Sequence, residues 1–348
     1  MRRRLITLPA AALLAAGCTS FADDPAPSAT STTATTSATT TSPAAGLEVR
    51  DRTDLGTAES GVTAARLATD GEDRAVLLIG SPTSTVVTAD SATAVRDAVP
   101  TDVVLVDGDP VAVALTADPV ATDPVLALVP VEGSTAGPLE LDPQTTAPRG
   151  IPVLAAAGDD EVMLLVEDTD RTGARVLAVD PSTGEVREDV DLDLGEDVAS
   201  VDLLGLAATS DGVVAGVGVR GSDGTTTGRL VTLDADLQPD GDPQDTDGEL
   251  LALTADGTPV TADEDGSVRV DGDEVAADLG TRVSGAAVVD GTPVVALRDQ
   301  GSPTVVVGDE PVALCDGDGD ALAVGATGDG GVLVAGTCDG DAVLWTLG

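Results

Sequence analysis

Carboxylates are the only abundant groups in this 348-residue chain that could do acid, base or metal chemistry. There are 61 acidic side chains against 17 basic ones; every basic residue is arginine, and histidine and tyrosine are absent. A serine nucleophile therefore has no imidazole or lysine base to activate it, and Schiff-base and P-loop lysines are equally excluded. What remains for catalysis is two carboxylates at a fixed separation, as in a glycan hydrolase or lyase, with or without calcium. Asp316, Asp318 and Asp320 alternate with Gly317 and Gly319, which puts oxygen ligands at the spacing that opens a calcium loop. The match stops at Ala321, where such a loop requires glycine, and at Thr327, where it requires a bidentate glutamate. Asp240, Asp242, Asp245, Asp247 and Glu249 form a second acidic cluster with no recognised spacing. Asp and Gly also build ordinary turns, because both accept left-handed and capping conformations, so solvated turns are the plain reading of both clusters. The sequence assigns no catalytic residue.

The amino end reads as an address. Arg2, Arg3 and Arg4 precede an apolar stretch from Leu5 to Ala16, too short to span a membrane as a mature helix, so residues 1–17 read as a signal peptide. Its end, Leu14-Ala15-Ala16-Gly17-Cys18, resembles the lipobox of bacterial lipoproteins. That resemblance implies acylation of Cys18, which becomes the first residue and a lipid anchor (palmitate among its chains) on the extracytoplasmic side of the cell membrane. Two or more acyl chains give the stable anchoring that one cannot. Residues 18–46 continue as a Ser/Thr/Ala/Pro-rich linker that has nothing to build a core from and is expected to be disordered, spanning roughly 30 Å. With Cys18 committed to the anchor, Cys315 and Cys338 are left as a pair in a compartment that permits disulfides. A redox or metal pair would be expected to show CxxC spacing or histidine, and neither is present.

Hydrophobic residues make up 42% of the chain, nearly all aliphatic, since aromatics are 1%. The core is thus expected to be built of Val, Leu and Ala. The formal charge of -44 becomes -47 once residues 1–17, with three arginines and no acid, are removed. Such a surface excludes nucleic acid, whose binding depends on Lys and Arg displacing counterions, and anionic lipid as a docking surface. It favours a basic envelope protein or a cationic ligand as partner. Salt adaptation and GC-rich codon usage both account for the acidity.

The elements that must position any site are strands. From Leu47 onward, apolar runs of four to eight residues alternate with Asp-Gly, Gly-Asp and Asp-Pro, and no long helical period appears. A strand, an acidic turn and a second strand recur at Asp70-Gly71-Glu72, Gly108-Asp109, Gly158-Asp159, Asp211-Gly212, Asp256-Gly257, Asp290-Gly291 and Asp329-Gly330. Copies spaced about 43 residues apart match four-stranded propeller blades, which predicts an all-β single propeller over 47–348 with seven blades, six or eight also fitting the spacing. The segment ARVLAVDPSTGEVREDVDL (174–192), and more weakly GRLVTLDADLQPDG (228–241), resembles pyrroloquinoline-quinone-type propeller repeats. The resemblance implies the repeat type and not the quinone, because the blade-locking tryptophans of that family are missing and Trp345 stands alone. The last repeat offers only three strands, so LEVRD (47–51) is expected to supply the fourth and close the ring. The functional expectation is a membrane-anchored binding or scaffolding module without catalysis; the alternative is the paired-carboxylate enzyme.

Overall fold

The structure, a computed structural model, describes residues 47–56, 61–70, 73–80, 83–116, 123–131, 138–142, 144–158, 160–276, 283–298 and 301–348. The signal peptide, Cys18, the 18–46 linker, Gly71-Glu72 and Asp159 lie outside the described residues. Among those described there is no helix, and the strands form seven four-stranded antiparallel sheets.

Each sheet is a blade of consecutive strands. Blade 1 comprises β2 (Val62–Asp70), β3 (Asp73–Gly80), β4 (Thr85–Val87) and β5 (Ala92–Ala94); blade 2, β6 (Ala98–Val106), β7 (Asp109–Thr116), β8 (Leu126–Pro130) and β9 (Leu139–Glu140). Blade 3 comprises β10 (Leu154–Ala157), β11 (Val162–Glu167), β12 (Ala174–Val179) and β13 (Val186–Asp191); blade 4, β14 (Val198–Thr209), β15 (Gly212–Gly221), β16 (Thr226–Asp234) and β17 (Gln244–Asp245). Blade 5 comprises β18 (Glu249–Leu253), β19 (Pro259–Ala262), β20 (Val268–Val270) and β21 (Asp273–Ala276); blade 6, β22 (Val283–Val289), β23 (Thr292–Leu297), β24 (Thr304–Val307) and β25 (Glu310–Ala313). Blade 7 breaks the pattern: β26 (Ala321–Ala326), β27 (Val332–Cys338) and β28 (Asp341–Leu347) take their fourth strand from the start of the domain, β1 (Val49–Gly56). β1 runs antiparallel to β28 from Val49 opposite Leu347 to Gly56 opposite Ala342. The seven expected repeats therefore mark the turn between first and second strand of all seven blades, and the expected closure is the one formed.

The first strand of each blade touches the first strand of both neighbours, so β2, β6, β10, β14, β18, β22 and β26 form a closed inner ring. Both faces of a blade are covered, which is why strands read as unbroken apolar runs. In β11, Val162, Leu164 and Val166 pack toward blade 2, while Leu165 belongs to the layer shared with blade 4. Six such layers fill six of the seven gaps. The gap between blades 4 and 5 is filled differently, by leucine against glycine: a Cβ on Gly205 would lie 2.6 Å from Leu253 Cγ, and one on Gly216 would lie 3.1 Å from Leu250 Cδ2.

Six of the seven inner strands slip register against their second strand, a bulge that increases local twist. At three of these bulges the extra residue is a hydroxyl donor: Thr63 Oγ1 donates to Ile79 O (3.1 Å), Thr101 Oγ1 to Val153 O (3.0 Å) and Ser284 Oγ to Ala321 O (2.5 Å). The last two bonds cross to the next blade, latching neighbours at the inner ring.

Blade 7 is reinforced beyond its strand pairing. Trp345, fully buried, fills the layer between blades 6 and 7, and the Cys315–Cys338 disulfide (Cα–Cα 6.6 Å) ties the loop entering β26 to the end of β27. Removing residues 47–56 is expected to lower Tm by on the order of 10 °C, read by Trp345 emission as well as by circular dichroism. Replacing both Cys315 and Cys338 with serine is expected to cost about 3 kcal/mol, checked by chemical denaturation.

Candidate functional site

The seven inner strands enclose a channel of about 1250 Å³. Its lining mixes the Ala, Gly, Val and Leu of the inner strands with seven acidic and two arginine side chains, and none of its lining residues is aromatic. One mouth is set by the turns between first and second strands, where Asp70, Asp107, Asp160, Asp211, Asp256, Asp290 and Asp329 place one aspartate per blade. Neighbouring turns abut there: a Cβ on Gly108 would lie 2.9 Å from Asp73 Oδ2 of blade 1, and one on Gly330 would lie 3.0 Å from Asp290 Oδ2 of blade 6.

Several acids at turns are structural as well as charged. Asp329 accepts from the Thr327 hydroxyl at 2.5 Å, which holds its carboxyl below the usual range. Burial pushes Asp256 upward, but hydroxyl and amide donors from Thr254 and Thr258 outweigh it and leave the carboxyl lowered. Asp180, in the 174–192 hairpin, accepts from the Ser182 hydroxyl and from the Ser182 and Thr183 amides, with Arg187 at 2.5 Å, and is likewise held low. Asp234 takes the same place in the 228–241 segment, accepting from the Asp236 and Gln238 amides. The two resembling segments thus occupy equivalent places, the third strand of blades 3 and 4 with the turn that follows.

The channel waist holds a charged pair that sequence reasoning missed. Asp102 lies in the bulged part of β6, 9% exposed, and accepts from Val103 N–H (2.9 Å) and Ala155 N–H (2.8 Å) of the next blade. Arg66 of β2 stands with Nε 4.0 Å from Asp102 Oδ1, while its Nη1 donates to Ala65 O at 3.1 Å. Burial pushes the Asp102 carboxyl up to about 6, against the pull of Arg66 and the two amides. The signals available were Pro100, which suits a bulge, and a lone arginine inside an apolar strand.

The residues singled out from sequence sit away from the waist. Asp316, Asp318 and Asp320 lie along the loop between β25 and β26, beside the disulfide. There Asp318 N–H donates to Asp339 Oδ1 (3.2 Å), Asp339 N–H to Asp318 O (2.7 Å) and Asp320 N–H to Thr337 Oγ1 (3.1 Å). Among the described residues no three acidic, cysteine or histidine side chains are placed to hold a metal ion, and these bonds give the 316–320 segment the geometry of a hydrogen-bonded loop. The 240–249 cluster does not gather either; its Asp245 pairs with Arg229 at 2.7 Å.

Asp102 has no second carboxylate at a catalytic separation along its own strand. Asp102 is five residues from Asp107 along an extended strand, about 16 Å, well beyond the separation glycoside hydrolysis uses. Because the Asp102 pKa in the folded protein lies above the ordinary 3.8, its penalty is absent below about pH 4, grows through about pH 6 and is complete above it. Native stability is therefore expected to decline over that window. A carboxyl-carbon NMR titration should find Asp102 with a midpoint near 6, and Asp102→Asn should flatten the decline.

No protein-family model matches this chain, and no curated protein matches it either. Among solved structures it is similar to the β-propeller domain of the Trilobed protease from Pyrococcus furiosus, which has an open velcro topology (TM-score 0.52, 16% identity, covering 82% of this chain and 95% of that one). It is also similar to the GH93 α-L-arabinofuranosidase of Fusarium graminearum (TM-score 0.50, 8% identity, covering 87% and 98%). At these identities the likeness is one of fold: the chain is an all-β, seven-bladed β-propeller.

Proposed function

We propose that this chain is a bacterial lipoprotein, anchored through acylated Cys18 on the extracytoplasmic side of the cell membrane. Its propeller binds a basic protein or cationic ligand and performs no catalysis. The observation that carries this reading is the repetition of aspartate at the first turn of every blade, which gathers carboxylates around one mouth. Asp256 and Asp329 stay ionised well below neutrality because their turns donate hydrogen bonds to them. Carboxylates ringed about a low-dielectric wall focus their field and draw in cations.

Two further observations support binding over catalysis. Asp102 has no carboxylate partner along its own strand, and Trp345, the domain's one large aromatic, is buried between blades where it offers no platform to a sugar. Asp102 also lies beside a guanidinium, which opposes a cation there and leaves the mouth as the cationic site.

The anchor is tested by Cys18→Ser, which is expected to move the protein from the membrane to the soluble fraction. The binding reading is tested with that soluble protein on an immobilised arginine-rich peptide. Retention is expected, lost as salt rises, and weakened roughly tenfold when Asp107, Asp256, Asp290 and Asp329 become asparagine. Asparagine keeps the Oδ1 acceptor at Asp256 and Asp329 and tolerates the left-handed backbone of Asp107 and Asp290, so charge is removed without removing the turns. Turnover of a glycan panel by the same protein would overturn the non-enzymatic reading.

A further inference from the structure

One position of the inner ring is crowded by the next blade, and five of the seven blades fill it with the smallest residues. Where pairing resumes after the bulge of the first strand stand Ala64, Gly205 (at the second of two bulges in blade 4), Ala252, Gly285 and Ala323. The neighbouring blade is close there: a Cβ on Gly205 would lie 2.6 Å from Leu253 Cγ of blade 5, and one on Gly285 would lie 3.6 Å from Val324 Cγ1 of blade 7. In blade 2 the same position is Asp102. The fold does not call for a carboxylate at this place, since five blades pack without one.

What the carboxylate adds is a joint that can titrate. One oxygen accepts from Val103 N–H of its own strand and the other from Ala155 N–H of β10, so a bond between blades 2 and 3 passes through an ionisable group. The Thr101 hydroxyl crosses the same joint to Val153 O and does not titrate. The counter-charge is incomplete, because Nε of Arg66 stands 4.0 Å from Oδ1, beyond hydrogen-bond distance. Among the described residues packed on β6, β2 contributes Arg66, β7 sets Val113 opposite Asp102, and β10 has no titratable residue. Asp70, Asp73, Arg74 and Asp109 sit at the mouth ends of β2, β3 and β7, and Arg149 is exposed in the loop before β10. A buried carboxyl so placed is better accommodated neutral than ionised, which is why it titrates at about 6. Opening the joint admits water and restores the ordinary carboxylate, so ionisation favours opening.

We propose that Asp102 makes the joint between blades 2 and 3 a pH-sensitive seam in the channel wall, closed while its carboxyl is protonated and loosened once it ionises. β6 leads to Asp107 and β10 to Asp160 at the mouth, so the seam governs how firmly two mouth carboxylates are held relative to each other. It requires neither the membrane anchor nor a ligand at the mouth.

The test is hydrogen exchange on the mature chain carrying Cys18→Ser, followed from acid to neutral pH and corrected for the intrinsic pH dependence of exchange. Amides of β6 and β10, Val103 and Ala155 among them, are expected to lose protection by at least about tenfold between about pH 4 and pH 6 and to level off above. The strands of blades 5 and 6 should keep theirs. Asp102→Asn retains an acceptor and cannot ionise, so β6 and β10 should hold their acid-side protection throughout. Arg66→Met removes the partial counter-charge, and the loss of protection should then continue to higher pH. If Asp102→Asn does not fold, Asp102→Ala, which carries the residue of three other blades, should likewise abolish the pH dependence. Protection of β6 and β10 that does not change with pH, a change of equal size in every blade, or a pH dependence that survives in a folded Asp102 variant would overturn the proposal.

Discussion

A ring of sheets is only as secure as the joint between its first and last members, and here that joint is an antiparallel strand pairing of β1 on β28. Without it, β28 would be an unpaired edge and the last blade would lack its outer strand. The inner strands would still touch one another, and blade 7 would keep only its side-chain layers to blades 6 and 1. The reinforcements are concentrated at the same place. The chain's one tryptophan and its disulfide both lie in blade 7, on the side facing blade 6, so the closing blade is fixed to its predecessor by a large buried ring and a covalent bond. It is fixed to its successor by β1 and by the layer shared with blade 1.

The rest of the ring shows how an almost purely aliphatic chain replaces the aromatic wedges of larger-cored propellers. Val, Leu and Ala alternate across each blade, so each strand supplies two layers at once, and the individual side chains need not be large. Where the pattern fails, between blades 4 and 5, Gly205 and Gly216 open space that Leu250 and Leu253 occupy. The hydroxyls of Thr101 and Ser284, both at bulges, add hydrogen bonds to carbonyls of the next blade. Packing by small residues leaves the inner ring wide, which is why the channel is large enough to hold a ligand.

Fold and site differed in how legibly the sequence carried them. Blade number, turn positions and closure could be read because each depends on local patterns: Asp-Gly at a two-strand turn, apolar runs on strands covered on both faces, and a final repeat short of one strand. Seven copies made the repeat robust to any one copy being irregular. The disulfide was readable by elimination among three cysteines. The waist was not, because Arg66 and Asp102 lie in different blades and come together only when the ring closes. In the sequence, Asp102 is one aspartate among many, preceding an apolar run as several others do. What distinguishes it is the bulge beside Pro100 and an amide supplied by Ala155 of the next blade. The acidic cluster at 316–320 shows the converse: its spacing resembles a ligand set, and what the fold adds is that its backbone amides donate to Asp339 and Thr337 and so help close a loop.

The acidic mouth and the strand-lined waist follow from one geometric fact about blades. Every blade places its first turn at the same mouth, so any residue type favoured at that turn is multiplied around the ring. Aspartate, favoured in turns, becomes a collar of negative charge at the mouth. Leucine and alanine, favoured in strands, line the channel below it. A charge that appears in only one or two blades breaks this symmetry, and Arg66 beside Asp102 is the one such break at the channel waist among the described residues. Repetition alone accounts for the collar and the strand lining, whereas nothing in the repeat calls for a buried carboxyl beside a guanidinium that it does not fully engage. Keeping that pair costs desolvation, which the amides of Val103 and Ala155 offset by donating to Asp102, the second of them from the next blade, so the one buried carboxyl of the inner ring also ties two blades together.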